Sequence, residues 1–383
     1  MADAVETFSN ARGISAPNSS VMVIDLSTGE SLAEYNVDKP LIPASIMKCV
    51  TVATLLDRMD IDDCFETPVY ITGHLRDGVL EGNVVVEGSG DPSLNSRHEP
   101  PSADIVGEIA RALKAEGVRT IKGRVIVDES VFEGPAYPSS WMSADLSQAY
   151  GTGSHGLNFE DNASGSRSVP NPAGVFDSRL KSRLRGQGIE ILGGEIRDRD
   201  RRLLLTHRSA AVDEIMRSCM MRSDNMFAES LLRTYAVKSG RPGATATGAE
   251  LERKFWKRKK VPMEGIEIID GSGLSRQNRI TARFMAEVLS HKSEDPYYAS
   301  FFPLAGQEGT LRRFMAGTSL EGYVAMKTGS MKGIQCYAGY KLDDDYVPTH
   351  VIVVMMNEMP NRGAAREAVK RMLLDIFEGA PAE

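Results

Sequence analysis

The chain has 383 residues, of which 42% are hydrophobic and 25% charged, values that suit a soluble globular protein long enough for two domains. Its formal charge is −7 and its basic run Lys257-Arg-Lys-Lys260 is isolated, which excludes the spread basic face of a nucleic-acid binder. No stretch reaches the roughly 18 apolar residues of a transmembrane segment, and the opening Met1-Ala-Asp-Ala-Val-Glu6 shows no signal peptide, so an exported protein would be represented here by its mature form.

In chain order, residues 19–26 read as a strand that turns at Ser27-Thr-Gly-Glu30 and returns over 31–36. Pro43-Ala44 introduces a helical pattern over 45–59, with Met47, Val50, Leu55 and Leu56 as its apolar positions. From about residue 62 short β-rich runs alternate with Gly and Pro turns: 68–72, 79–87, 123–128 and 189–196, interrupted by one helix over 103–116. Helical texture returns at 211–221, 226–237 and 281–289. Strands follow at 323–328, 334–342 and 347–356, and an amphipathic, core-packing helix closes the chain at 362–377. The first hairpin and the last three strands can join in one antiparallel sheet flanked by helices. The expected fold class is α/β (α+β), with a discontinuous domain, 1–61 and 208–383, interrupted by an inserted β-rich domain, 62–207.

Three motifs carry the chemistry: Ser45-Ile-Met-Lys48, Ser223-Asp-Asn225 and Lys327-Thr-Gly329. A serine hydroxyl is a poor nucleophile near neutral pH until a neighbouring base takes its proton. Ser45 and Lys48 sit three apart on a predicted helix, so the amine lies one turn from the hydroxyl. A lysine serves as base only when burial or a nearby positive charge lowers its pKa, and Lys327 is a candidate for that charge. Ser223 and Asn225 lie between two helices, a setting that presents side chains into a cleft, with Asp224 as the cap of the second helix. Gly329 lets a ligand approach the strand backbone, and the N–H groups of Ser330 and Ser45 can pair as an oxyanion hole. Thr328, Ser330 and Lys327 can together receive a carboxylate.

Each piece has a plain structural alternative: an N-cap for Ser45, a solvent-facing amine for Lys48, ordinary strand residues for 327–330. A second S-x-x-K, Ser178-Arg-Leu-Lys181, has no such company. The ordered trio favours catalysis. Cys49, Cys64, Cys219 and Cys336 form no C-x-x-C pair and read as free thiols, Cys49 and Cys336 as small core residues. The histidines are isolated, with no H-E-x-x-H. Gly271-Ser-Gly273 has Arg276 where a dinucleotide loop needs its third glycine. No metal or cofactor is expected.

The ordered trio is the signature of serine penicillin-binding proteins and β-lactamases. Other segments narrow the match: Pro43 to Lys48, Gly88-Ser-Gly-Asp-Pro-Ser-Leu94, Trp141 with Tyr150-Gly151 and Leu157-Asn158, Asp270-Gly-Ser-Gly-Leu-Ser275, Gly306-Gln-Glu-Gly-Thr-Leu311 and Gly339-Tyr340. Over nearly its whole length the chain resembles the D-alanyl-D-alanine carboxypeptidase/endopeptidase family of class C low-molecular-mass penicillin-binding proteins (the DacB-like group). The resemblance implies a penicillin-binding, serine β-lactamase-like transpeptidase fold and acyl transfer on peptidoglycan stem peptides outside the cytoplasmic membrane. β-Lactams would be covalent inhibitors. It implies Ser45 as nucleophile, Lys48 as base, Ser223, Asn225 and Lys327 as their support, and Asp145, Tyr150 and Arg276 as the residues that recognise a diaminopimelate side chain. Long members carry a further small domain after the Leu-Asn pair. Here Asn162 is followed only by Ala-Ser-Gly-Ser-Arg-Ser-Val before Pro170-Asn-Pro172, so that domain is expected to be missing. Three rivals share parts of this pattern: a DD-endopeptidase with the same acylation step, a β-lactamase, for which no dedicated deacylating acid is identified, and a non-catalytic binder of cell-wall fragments or β-lactams.

Overall fold

The computed structural model describes residues 2–98, 103–197 and 200–379. Its central sheet has five antiparallel strands, ordered Val324–Met331, Ile334–Leu342, Pro348–Met356, Ser19–Asp25 and Ser31–Tyr35. Strands alternate their side chains between faces, and here both faces are covered. Val21 and Val23 enter one core with Ile352, Val354 and Met356, while Met22 and Ile24 enter the other with Val351, Val353 and Met355. The first core is closed by the terminal helices Ala2–Ser9 and Arg362–Glu378. The second is covered by the helices Met47–Leu55, Val212–Arg222, Asn225–Lys238, Thr245–Arg258 and Ala282–Lys292. The closing helix buries Ala365, Val369, Met372, Leu373 and Ile376, as its amphipathic pattern requires.

Between the helix Met47–Leu55 and Val212, the chain builds two four-stranded sheets around a core of its own. One is ordered Arg202–Ala211, Cys64–Ile71, Val84–Glu87, Val125–Asp128, and the other Glu190–Ile191, Thr120–Ile121, Val79–Glu81, His74–Arg76. The run expected over 79–87 is therefore two strands in different sheets. It breaks at Gly82, where a Cβ would lie 1.7 Å from the Thr72 carbonyl oxygen. The run expected over 189–196 keeps only Glu190–Ile191 as strand.

Among the described residues of this region two α-helices stand where one was expected, Ile105–Ala115 and Pro172–Gly186. The second starts where Asn171 caps the Gly174 N–H with Pro172 in its first turn, and it buries Phe176, Leu180 and Leu184 at four-residue spacing. It also carries the second S-x-x-K. Ser178 Oγ donates back to the Gly174 carbonyl at 2.9 Å, and Lys181 pairs with Asp177 at 2.7 Å. The short stretch after Asn162 is a tight hairpin, Ala163–Ser164 against Arg167–Ser168.

Candidate active site

Ser45 sits on a single 3-10 turn, Ala44–Ile46, that runs directly into the helix Met47–Leu55. Ala44 holds φ +49°, a left-handed conformation that costs a non-glycine residue roughly 1–2 kcal/mol. Two glycines press on this turn. A Cβ on Gly273 would lie 1.9 Å from the Ala44 carbonyl oxygen. One on Gly329 would lie 2.5 Å from that of Pro43 and 3.1 Å from the Ser45 nitrogen. The Asp270–Ser275 loop and the strand Val324–Met331 thus meet the backbone of Ser45 with no side chain between them.

Lys48 is fully buried, one turn from Ser45. Its Nζ lies 2.7 Å from Asn225 Oδ1, 2.7 Å from the Ser272 carbonyl oxygen and 3.1 Å from Ser45 Oγ. The two nearer atoms can only accept hydrogen bonds. A neutral amine spends both N–H bonds on them, and its lone pair is left facing the hydroxyl. Burial pushes the Lys48 pKa down, against a smaller upward pull from Cys219, Asp224, Asp270 and Glu229. The Asn225 amide fits only one way round, because its Nδ2 donates to the Tyr150 carbonyl at 2.7 Å.

A second buried amine stands close by. Lys327 Nζ donates to Ser223 Oγ and to the Thr328 carbonyl, each at 2.8 Å. Burial and the neighbouring Lys48 charge lower its pKa to about 7. Ser223 ends the helix Val212–Arg222 at φ +60°, a second strained non-glycine residue, and Asp224 caps the next helix by accepting the Phe227 N–H. Thr328 Oγ1 pairs with Thr310 Oγ1 at 2.8 Å, and Ser330 Oγ donates to Gln335 at 3.2 Å. Hydrogen bonds join Ser45, Lys48 and Asn225 in one set and Ser223 and Lys327 in another, and the Lys48 charge is felt at Lys327. Thr328, Gly329 and Ser330 continue the strand that carries Lys327.

Two of the three residues expected at the side-chain pocket meet directly. Tyr150 OH donates to Asp145 Oδ1 at 2.8 Å, and that bond raises the tyrosine pKa. Gly151 allows the approach, since a Cβ there would lie 2.0 Å from the Asp145 carbonyl oxygen. Arg276 reaches the Lys332 carbonyl, at 3.4 Å, in the turn after the strand of Lys327. The loop carrying Asp145 and Tyr150 is tied down from two sides. Trp141 Nε1 donates to Asp270 Oδ2 at 2.8 Å, and buried Arg233 donates to the carbonyls of Glu133, Pro135, Ser154 and Gly243.

Some contributors carry no side-chain signal. The Ser272 and Tyr150 carbonyls are backbone atoms that folding alone brings to Lys48 and Asn225. Thr310 was visible as part of a motif, without a partner. Cys49, Cys219 and Cys336 are buried free thiols, and burial pushes each up to about 12.

Known proteins resemble this chain in sequence and in fold. A D-alanyl-D-alanine carboxypeptidase of Actinomadura (strain R39) is 27% identical, over 84% of this chain and 74% of that protein. The carboxypeptidase DacB of Mycolicibacterium smegmatis is 28% identical, over 94% and 80%. The crystal structure of penicillin binding protein 4 (dacB) from Haemophilus influenzae superposes with a TM-score of 0.84 at 21% identity, covering 98% of this chain and 99% of that one, and so shares the fold. Residues 2–164 and 160–375 match the family profile itself, which spans both the three motifs and the region between the first two. The chain belongs to the D-Ala-D-Ala carboxypeptidase 3 (S13) family.

Proposed function

We propose that this protein is a serine-type D-Ala-D-Ala carboxypeptidase that works through an acyl-enzyme on Ser45. The observation that carries the reading is the Lys48 amine, fully buried, with two acceptor-only partners and its third contact on Ser45 Oγ. Lys48 takes the Ser45 proton as Oγ attacks the carbonyl between the two terminal D-alanines of a stem peptide. The oxyanion is received by the N–H groups of Ser45 and Ser330. Lys327, Thr328 and Ser330 hold the terminal carboxylate, and Ser223 relays a proton to the leaving amine. Free D-alanine departs, and water then releases the shortened peptide from Ser45. Asp145, Tyr150 and Arg276 face the ammonium and carboxylate of a diaminopimelate side chain. In this reading residues 1–61 and 208–383 form the catalytic domain and 62–207 the insertion.

Peptidoglycan stem peptides place the site of action outside the cytoplasmic membrane. Among the described residues no helix is long and apolar enough to cross a membrane.

The test is intact-protein mass after incubation with excess benzylpenicillin, beside Ser45→Ala. A single penicillin adduct on the wild type and none on the variant is the expected result. An adduct on the variant would remove Ser45 as nucleophile, and penicillin consumed without an adduct would make the protein a β-lactamase. Monomeric and cross-linked muropeptides then separate carboxypeptidase from endopeptidase. Release of D-alanine with cross-links left intact is the outcome this reading requires.

A further inference from the structure

Behind Lys48 lies a layer of buried carboxyl groups that the acyl-transfer steps above do not use. The Ser272 carbonyl, one of the two acceptors that orient Lys48, belongs to a turn held by two of them. Asp270 accepts four N–H bonds, two per oxygen: Gly273 N and Asn278 Nδ2 on Oδ1, Trp141 Nε1 and Ser275 N on Oδ2. That pattern suits a carboxylate. Glu229 is different. Its Oε1 accepts the N–H groups of Gly271 at 3.0 Å and Ser272 at 2.8 Å, while its Oε2 is buried without a partner. An orphaned anionic oxygen in a dry site is far more costly than an orphaned hydroxyl. Glu229 lies one helical turn after Asn225, the other acceptor for Lys48. Both acceptors of the Lys48 amine are therefore set from one face of one helix, Asn225 directly and Ser272 through Glu229.

We propose that Glu229 is a positioning residue for acylation: in its neutral form it clamps the Gly271–Ser272 peptide, so that the Ser272 carbonyl aims the lone pair of Lys48 at Ser45. This rests on the carboxypeptidase reading and deepens it. The groups around Glu229 are Lys48 on the nucleophile helix, Asp270 on the loop, Glu252 on the helix Thr245–Arg258 and Arg233 on its own helix. Burial, reinforced by the nearby Asp270 charge, raises the Glu229 pKa to about 8, which agrees with the neutral form at neutral pH. Ionisation above that pH leaves an anionic oxygen buried without a partner at Oε2 and works against the clamp.

The experiment compares acylation rates with a chromogenic penicillin for wild type, Glu229→Gln and Glu229→Ala from about pH 5.5 to 9.5, with melting temperatures alongside. Gln keeps the acceptor oxygen and cannot ionise. Glu229→Ala is expected to lose about 100-fold in rate at pH 7, and Glu229→Gln to recover to within about fivefold of wild type. Glu229→Gln is also expected to lose the part of the alkaline decline centred near pH 8. A Gln variant that folds, yet is as slow as the Ala variant or declines near pH 8 as wild type does, overturns the inference, as does an Ala variant acylated at the wild-type rate. Should Glu229→Ala not fold, the Gln variant decides by its rate and pH profile alone. If wild type itself is not acylated on Ser45, the carboxypeptidase reading falls and this inference with it.

Discussion

Ser45-Ile-Met-Lys48 and Ser178-Arg-Leu-Lys181 place a hydroxyl and an amine at the same spacing, in opposite surroundings. Lys181 lies on the outer side of the helix Pro172–Gly186, partly exposed and paired with Asp177. Ser178 donates to its own helix backbone. Lys48 is fully buried, and its partners are a carbonyl oxygen, an amide oxygen and Ser45 Oγ. Lys181 stands in solvent against a carboxylate, whereas burial at Lys48 favours the free amine. Spacing sets which side chains are neighbours. Solvent and partners decide whether the neighbour is a base.

Replacing the two lysines in turn breaks the comparison most sharply. Lys48→Met should slow acylation by benzylpenicillin about 10²–10⁴-fold, the range of a lost general base, while Lys181→Met should stay within about twofold of wild type. Stopped-flow acylation with a chromogenic penicillin measures both. A large loss at Lys181, or a small one at Lys48, would contradict the assignment.

The backbone offers a second contrast. Gly273→Ala forces a methyl group toward the Ala44 carbonyl from φ +80°, and backbone must move. A displacement of about 1 Å at the nucleophile is expected to cost about 100-fold in acylation. Gly186, the last residue of the helix bearing the second tetrad, has open space around it. Gly186→Ala should leave acylation unchanged and stabilise the protein by about 0.5–1 kcal/mol in chemical denaturation.

These contrasts also mark what could be read from sequence. The nucleophile turn, the Ser-Asp-Asn connection and the Lys-Thr-Gly strand announce themselves through residue type and order. The strand Ile334–Leu342 was legible to the residue, because β-rich runs bounded by turns have few other readings. The helix Pro172–Gly186 carried every start signal, Asn171, Pro172 and then apolar positions four apart, and was masked by the β-rich texture on both sides. Thr245–Arg258 was passed over as well, since its helical stripe is interrupted by Glu, Arg and Lys. The least legible parts are the carbonyls of Ser272 and Tyr150, which have no residue-type signature and arrive from distant segments. Glu229 left one faint sign: a carboxylate one turn after Asn225, in a stretch of helix that is buried on every side.

The pH profile sharpens the difference between the buried and the exposed amines. Lowered pKa values make Lys48 a base below the usual lysine range, so acylation should rise with pH as Lys48 loses its proton. Lys327, at about 7, loses its positive charge as pH rises further, and binding of a substrate carboxylate should weaken above that pH. The two effects together give a bell-shaped kcat/KM, whose apparent pKa values belong to the coupled pair. An Arg side chain stays charged, so Lys327→Arg should remove the part of the decline that begins near pH 7, at some cost in fit. A decline unchanged in Lys327→Arg would exclude Lys327 as its source.

The same buried lysines predict how stability itself responds. A lysine whose folded pKa lies below its unfolded value binds fewer protons when folded, so stability rises with pH between the two values. For Lys327 that window runs from about 7 up to the ordinary lysine value of 10.5. Glu252 acts with the opposite sign at lower pH. Burial raises its pKa from 4.5 to about 8, so the folded state holds the extra proton and stability falls as pH rises through that interval. Its Oε2 has no partner, as at Glu229, so ionisation there is uncompensated. Glu252→Gln cannot ionise and should flatten the decline in melting temperature between about pH 5 and 8, without the change in acylation profile expected of Glu229→Gln. The exposed Asp177–Lys181 pair supplies the lower limit of this scale: a double-mutant cycle there should return about 0.3–0.5 kcal/mol, diminishing with added salt. Lys181 keeps more than a third of its side chain in water, so the pair is screened by solvent. Lys48 and Lys327 are sealed from solvent, whereas the second serine–lysine tetrad stays an ordinary helix surface.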